Sequence, residues 1–319
     1  MPTASDEWRP WSLAMQDALY GENGFYRRVS APSRHFRTAA HASALWAPAL
    51  LRLLEHVAVA VNERFTVVEV GAGGGELLTG LAEIAPTAWS LIGVDIADRP
   101  PTLPGRVGWQ HEIPAAFDGA LIAVEWLDVV PVDAVELTPQ GLRLVEVSKD
   151  GRERSGAVVA ARESVWLDRW WAVRDVGDRA EIGATRDEAW ARAVSYLRRG
   201  LAVAIDYAAD PLRDVAGTLT GYRAGRQVAP VPDGSCDITA HVLMASCAAA
   251  ASVDETALLS QREALLALGV SGARPSYDGD VAAYLSALQS SGEAAELLDR
   301  GGLGAFTWLL QTKGVPLPL

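Results

Sequence analysis

Thr66-Val67-Val68-Glu69-Val70-Gly71-Ala72-Gly73-Gly74-Gly75-Glu76-Leu77-Leu78 decides how this chain is read. A β-branched run meets a cluster of glycines, and an apolar segment follows. The pattern predicts a buried strand, a tight turn and the start of a helix. Glycine tolerates positive φ and leaves room for a ligand against the backbone. A second apolar run, Trp89-Ser90-Leu91-Ile92-Gly93-Val94, ends at Asp95. Asp95 follows Gly75 by about 20 positions, close to the spacing of an acid that binds a ribose hydroxyl. Strand, turn, helix, strand and acid together describe a nucleoside-binding crevice.

The glycines do not follow the dinucleotide pattern, which needs glycine at its first, third and sixth positions. Counted from Gly71, the sixth position is Glu76. A pyrophosphate on that helix N-terminus would meet a carboxylate. A sulfonium nucleoside has no phosphate and carries positive charge, so Glu69 and Glu76 suit it. The Glu-x-Gly-x-Gly-x-Gly pattern therefore points to S-adenosyl-L-methionine rather than NAD. Glu69, Gly71, Gly73, Gly75 and Asp95 are the candidate cofactor-binding residues. The plainer alternative is that Glu76 favours the helix dipole and the glycines only pack a turn.

Composition bounds the rest. The 319 residues can bury a large core, and half of them are hydrophobic. No stretch is apolar over bilayer length, so no membrane partner is expected. The opening Met-Pro-Thr-Ala-Ser-Asp-Glu-Trp lacks a basic start before an apolar core, and a secretory signal is not expected. Only two cysteines, Cys236 and Cys247, occur, which points to a reducing cytoplasm. A net charge of −12 argues against a nucleic-acid partner. The five histidines and two cysteines show no metal-ligand spacing, so no metal is expected.

Periodicity predicts helices over Trp11 to Tyr20 and Ala42 to Ala60, then the nucleoside-type core from Thr66. Strands are expected at Arg106 to Trp109, Gly119 to Val124, as a pair over Val132 to Val147, at Gly200 to Tyr207 and at Ala305 to Thr312. Helices are expected over Ala157 to Val173, Arg186 to Arg199, Ile238 to Ala250, Gln261 to Leu268 and Val281 to Leu298. Asp210 to Asp237 reads as a loop. The fold class is α/β, a mostly parallel Rossmann-like sheet with an N-terminal helical region and helical insertions. Residues 1–62 are read as a helical cap and 63–150 as the cofactor-binding core. Residues 151–319 are read as the remaining sheet with substrate-side insertions, in one integrated domain.

Five further segments carry a family resemblance. Val124-Glu125-Trp126-Leu127-Asp128-Val129-Val130-Pro131-Val132 resembles an Asn-Glu-x-x-Asp-Ala-x-Pro-Val signature. Ile205-Asp206-Tyr207 resembles an Asp-Tyr-Gly strand end. Gly217-Thr218-Leu219 and Asp237-Ile238-Thr239-Ala240-His241-Val242 resemble Gly-Thr-Leu and Asp-Ile-Thr-x-His-Val elements. Gly302 to Gly314 is similar to the C-terminal close. With the glycine turn, these are similar to the MidA-like family of S-adenosylmethionine-dependent methyltransferases. That family includes a mitochondrial complex I assembly factor that methylates a protein arginine. The resemblance implies a methyltransferase with a protein, peptide or small-molecule methyl acceptor, and a homodimer is left open. The chain departs from the family at Arg34 to Ser43, where His35 and His41 replace two acids, at Val124 and at Ala208.

The candidate catalytic residues are Glu125, Asp128, Asp206 and His241. Glu125 and Asp128 follow the predicted fourth strand, where open α/β sheets place ligands. Glu125 is read either as a holder of the cofactor's methionine end or as an orienter of the nucleophile. The alternative for the two acids is a helix cap with a surface acid. Asp206 ends a buried strand, where a carboxylate needs a partner; a substrate cation or an internal salt bridge would serve. His241 is read as a base, or as a residue on a helix capped by Asp237.

Overall fold

The computed structural model describes residues 7–28, 44–61, 64–277 and 279–319. His35 and His41 lie outside the described residues. The chain folds into two units that interleave in sequence.

One unit comprises Arg37–Glu125, Ala193–Tyr207 and Ser252–Leu319. Its sheet has seven strands: β1 (Thr66–Val70), β2 (Ser90–Val94), β3 (Val107–Gln110), β4 (Phe117–Val124), β5 (Leu197–Asp206), β6 (Glu255–Ser260) and β7 (Thr307–Lys313). Their spatial order is β6-β7-β5-β4-β1-β2-β3. The pairings from β3 through β5 are parallel, and β7 runs antiparallel to both β5 and β6. This is the mostly parallel α/β sheet expected from the sequence. From β1 the chain moves outward to β2 and β3, then returns to the other side of β1 as β4. The carboxyl ends of β1 and β4 therefore flank the point where strand order reverses, the usual ligand crevice of open sheets.

The central strands are buried on both faces, which explains their unbroken apolar runs. Val67, Leu121, Ile122, Val203 and Ile205 have no exposed surface. The helix Trp46–Val61 packs Leu50, Leu53, Leu54 and Val57 into the same core. Each such side chain contributes about 1.5–3 kcal/mol by leaving water. Trp46 meets Trp308 of β7 edge to face, with centroids 5.6 Å apart.

The other unit comprises Met1–Phe36, Trp126–Arg192 and Ala208–Ala251. It is built from antiparallel hairpins. Arg9–Pro10, Gly141–Val147, Asp133–Thr138 and Arg179–Ile182 lie side by side, and Glu153–Val158 also pairs with Gly141–Val147. A smaller sheet joins Arg226–Val228, Thr220–Arg223 and Asp237–Thr239. The helix Trp11–Tyr20, as predicted, packs Trp11, Met15 and Leu19 with Val132, Val145 and Ile238.

Several element boundaries depart from expectation. The predicted loop before Asp237 holds the hairpin Thr220–Arg223 and Arg226–Val228. The helix expected from Ile238 begins only at Met244, because Asp237–Thr239 pairs as a strand with Thr220 to Tyr222. Asp237 is thus no helix cap, and His241 lies between strand and helix. The helix expected over Arg186 to Arg199 stops at Ser195, and Leu197 already opens β5. The segment expected to be helical from Ala157 is still strand at Val158; its helix is Ala161–Trp170. The edge strand β6 was not anticipated.

Candidate active site

The glycine turn connects β1 to the helix Glu76–Ile84. Gly71, Gly73 and Gly75 all have positive φ (69°, 54° and 74°), which a side chain would resist. The backbone N–H groups of Gly71 and Ala72 donate to the Val94 carbonyl at the end of β2, at 2.9 and 3.2 Å. A Cβ on Gly75 would strike Leu103 at 2.5 Å, whereas one on Gly73 would meet nothing within 4 Å. The turn is packed beneath Gly75 and open above Gly73.

Asp95 locks the turn. Its Oδ2 accepts from the Gly73 N–H at 2.8 Å and its Oδ1 from the Ala97 N–H at 2.8 Å. Burial raises its carboxyl above the usual range, and these N–H groups and His111 pull part of the way back. His111, not anticipated, follows β3 and places Nδ1 2.9 Å from the Asp95 carbonyl. It is a lone His without a spacing signal, so only the fold brings it to Asp95.

Glu69 sits one residue before the end of β1 and is 6% exposed. Its Oε2 is buried and has no hydrogen-bond partner among the described residues. Burial, then Glu76, then Asp95 push its carboxyl well above the usual range. A buried acid faced by two other acids needs either a proton or a cationic ligand.

Glu125 and Asp206 end adjacent strands. The preceding residues, Val124 of β4 and Ile205 of β5, are in register, and the Glu125 N–H donates to the Ile205 carbonyl at 2.9 Å. Glu125 has φ of 50°, one of two non-glycine residues with positive φ among those described. Such a conformation costs of order 1 kcal/mol or more and clusters at functional sites. Asp206 is 1% exposed, and its Oδ1 accepts from the Tyr207 N–H at 3.0 Å. Tyr207 rests against Phe306, with ring centroids 3.9 Å apart.

Asp128 and His241 belong to the other unit. Asp128 is buried and pushed up to about 6 by desolvation, with Arg186 opposing the rise. Asp237 is pushed up to about 7 by burial and by Asp128, and accepts from the Tyr26 hydroxyl at 2.9 Å. The fully buried Arg186 donates to the carbonyls of Asp128, His241 and Val130 at 2.7, 2.6 and 3.3 Å. It ties the two predicted residues to one scaffold. His241 Nδ1 lies 3.7 Å from Asp214 Oδ2, and its backbone N–H donates to Thr218 Oγ1 at 2.9 Å. Neither Arg186 nor Tyr26 carries a local sequence signal, because each acts through long-range contacts. Among the described residues no cluster of His, Cys, Asp and Glu is arranged to hold a metal.

The first unit fits an adenosyl sulfonium. Gly73 offers open backbone, Asp95 stands at the ribose spacing, and Glu69 is a buried carboxyl suited to a positive charge. A family model described as "Putative S-adenosyl-L-methionine-dependent methyltransferase" matches residues 81–259. Those residues make up more than half the chain, and the chain belongs to that family: it is a MidA-like methyltransferase with S-adenosyl-L-methionine as cofactor. Two crystal structures from Burkholderia thailandensis are similar. One, with S-adenosyl-homocysteine bound, has a TM-score of 0.82 and 24% identity, covering 97% of this chain and 89% of that one. The other, a native structure, has a TM-score of 0.81 and 26% identity, covering 97% and 88%. No curated protein matches. Among the described residues no helix is long and apolar enough to cross a membrane.

Proposed function

We propose that this methyltransferase acts on a nitrogen of a protein or peptide, of arginine type. The observation that carries the reading is the pair Glu125 and Asp206, two acids at the ends of adjacent parallel strands in the cofactor-binding unit. A cationic nitrogen acceptor suits two carboxylates, and the positive φ at Glu125 marks a position held against its backbone preference. Glu69, Gly71, Gly73, Gly75 and Asp95 hold the cofactor in this reading. When bound, the cofactor supplies an electrophilic methyl group on a sulfonium, already activated for departure.

The protein's work is then alignment and charge. Holding acceptor and methyl group in line contributes about 7–11 kcal/mol. Glu125 orients the acceptor nitrogen, and a carboxylate beside a guanidinium disperses its charge and receives its proton. A part for Asp128 and His241 in acceptor handling is proposed on the family resemblance.

The test is incubation of the purified protein with S-adenosyl-L-methionine and arginine-bearing peptides, read by mass spectrometry. A methylated arginine that disappears in Glu125→Gln supports the reading. A second reading, a small-molecule N- or O-methyltransferase, is favoured by His35 and His41 standing where the family carries acids. Methylated small molecules with unmodified peptides would select it.

A further inference from the structure

We propose that the helix Val281–Leu297 pairs with the same helix of a second copy of this chain, antiparallel about a two-fold axis.

The helix has 17 residues, yet only Ala294 and Leu297, both in its last turn, are buried. The rest rests on few contacts. Ser291 Oγ donates to the Gly272 and Ala273 carbonyls at 3.0 Å, and Tyr284 meets the Arg274 guanidinium and the Tyr277 ring. Asp280 caps the N-terminus by accepting from the Ala283 N–H at 3.1 Å. At about 3.6 residues per turn, Val281, Leu285, Leu288 and Gly292 form one stripe, on the face opposite Ala294 and Leu297. Val281, Leu285 and Leu288 are 59%, 58% and 39% exposed. No Asp, Glu, Lys or Arg occurs from Val281 to Gly292. A short helix is marginal in water unless it buries an apolar face, and this stripe has the alternating spacing of a helix-pairing seam.

The spacing of the stripe selects the occupant. Its steps are four, three and four residues, so the seam reads the same in both directions. An antiparallel copy therefore sets Leu285 against the partner's Leu288, and Val281 against the partner's Gly292, as a two-fold contact requires. Gly292 suits that place. A Cβ there would meet nothing within 4 Å, which leaves a recess for a valine side chain. Glycine inside a helix weakens it, and close approach of a second backbone is a use that offsets the weakness. Charge agrees as well. The chain carries a net charge of −12, so like charge opposes contact between two copies, and a self-contact needs a charge-free stretch such as this one. The nearest charges across the seam are Asp280 and the partner's Glu293, at its two ends. Asp280 is engaged as the helix cap, and Glu293 accepts from the Gln289 amide at 3.1 Å. The seam is about 17 Å long, short for a permanent interface, so the dimer forms in a concentration-dependent way.

Sedimentation velocity of the full chain from about 1 μM to about 200 μM tests this. The expected result is a monomer that becomes a dimer as concentration rises. Leu285→Glu, at an exposed position, should weaken the dimer by more than about tenfold and leave the thermal melt and S-adenosyl-L-methionine binding unchanged. Raising the salt from about 50 mM to about 500 mM should tighten the dimer, because net repulsion is screened. Disulfide trapping reads the direction of the helices, since Cys236 and Cys247 are both buried. Val281→Cys mixed with Gly292→Cys should cross-link. Val281→Cys alone should not, because antiparallel pairing holds its two copies about 17 Å apart. Wild-type protein that stays monomeric throughout would assign the seam to a different partner and overturn the inference. A dimer indifferent to Leu285→Glu, or Val281→Cys cross-linked to itself, would overturn it too. The wild-type concentration series and the trapping decide the matter even if Leu285→Glu fails to fold.

Discussion

The two units handle buried acids in opposite ways. In the parallel-sheet unit the Gly73 N–H goes to Asp95, those of Gly71, Ala72 and Gly75 go to carbonyls, and the charged groups acting on Glu69 are the carboxylates of Glu76 and Asp95. In the antiparallel unit Asp237 takes the Tyr26 hydroxyl, and Arg186 lies near Asp128 while binding three carbonyls. The first arrangement calls for a proton or a cationic ligand on Glu69. In the second the protein's own side chains supply partners, Tyr26 to Asp237 and Arg186 beside Asp128, although Asp128 Oδ1 accepts no hydrogen bond among the described residues. Buried charge alone thus does not identify a ligand site; what separates the two cases is whether the chain supplies the partner.

The sharpest way to break this comparison is Glu125→Gln. Turnover should fall by about 10²–10⁴-fold, the usual worth of a positioned acid or base. Calorimetry should show cofactor affinity retained, and a parallel loss of affinity would instead assign Glu125 to the methionine end. Next comes Arg186→Met. Removing the buried guanidinium takes a donor from the Val130, His241 and Asp128 carbonyls, the last of which keeps the Ala240 N–H, and takes the counter-charge from Asp128. Denaturant unfolding should show a loss of about 3–5 kcal/mol.

A smaller effect is expected from Gly73→Val. The added side chain enters the open space above the turn at φ of 54°. Cofactor affinity should fall by more than about tenfold, and stability by about 1–2 kcal/mol.

The smallest effect is that of pH on the antiparallel unit. Burial raises Asp237 to about 7 and Asp128 to about 6, so the folded state holds protons that the unfolded chain gives up. The resulting stability is full below the ordinary carboxylate range and is lost as pH rises through about 6 to 7. Between pH 5 and 8 the loss should amount to about 1–3 kcal/mol. Asp237→Asn should flatten that dependence in thermal melts. A profile unchanged by the substitution would assign the titration elsewhere.

The sequence exposed the parallel-sheet unit far better than its partner. β1, β4 and β5 were legible because burial on both faces demands unbroken apolar runs. Asp95 was legible because the turn and the ribose spacing are both local. The three-residue strands Arg226–Val228 and Asp237–Thr239 are too short to show a period of two, and the Ala-rich segment that follows reads as helix from its start. Arg186 and Tyr26 meet partners 55 to 58 and 211 positions away, so no window of sequence could show their roles. The sequence marks Glu69 as an acid suited to a sulfonium. That it lacks any hydrogen bond from its own turn is a property of the folded backbone alone.

The glycine turn of the parallel-sheet unit is the proposed seat of the cofactor. A crystal structure of this chain with S-adenosyl-homocysteine tests it most directly. The account predicts the adenosyl group over Gly73, with the ribose hydroxyls on Asp95. Ligand density elsewhere, with side chains filling the space above Gly73, would contradict it.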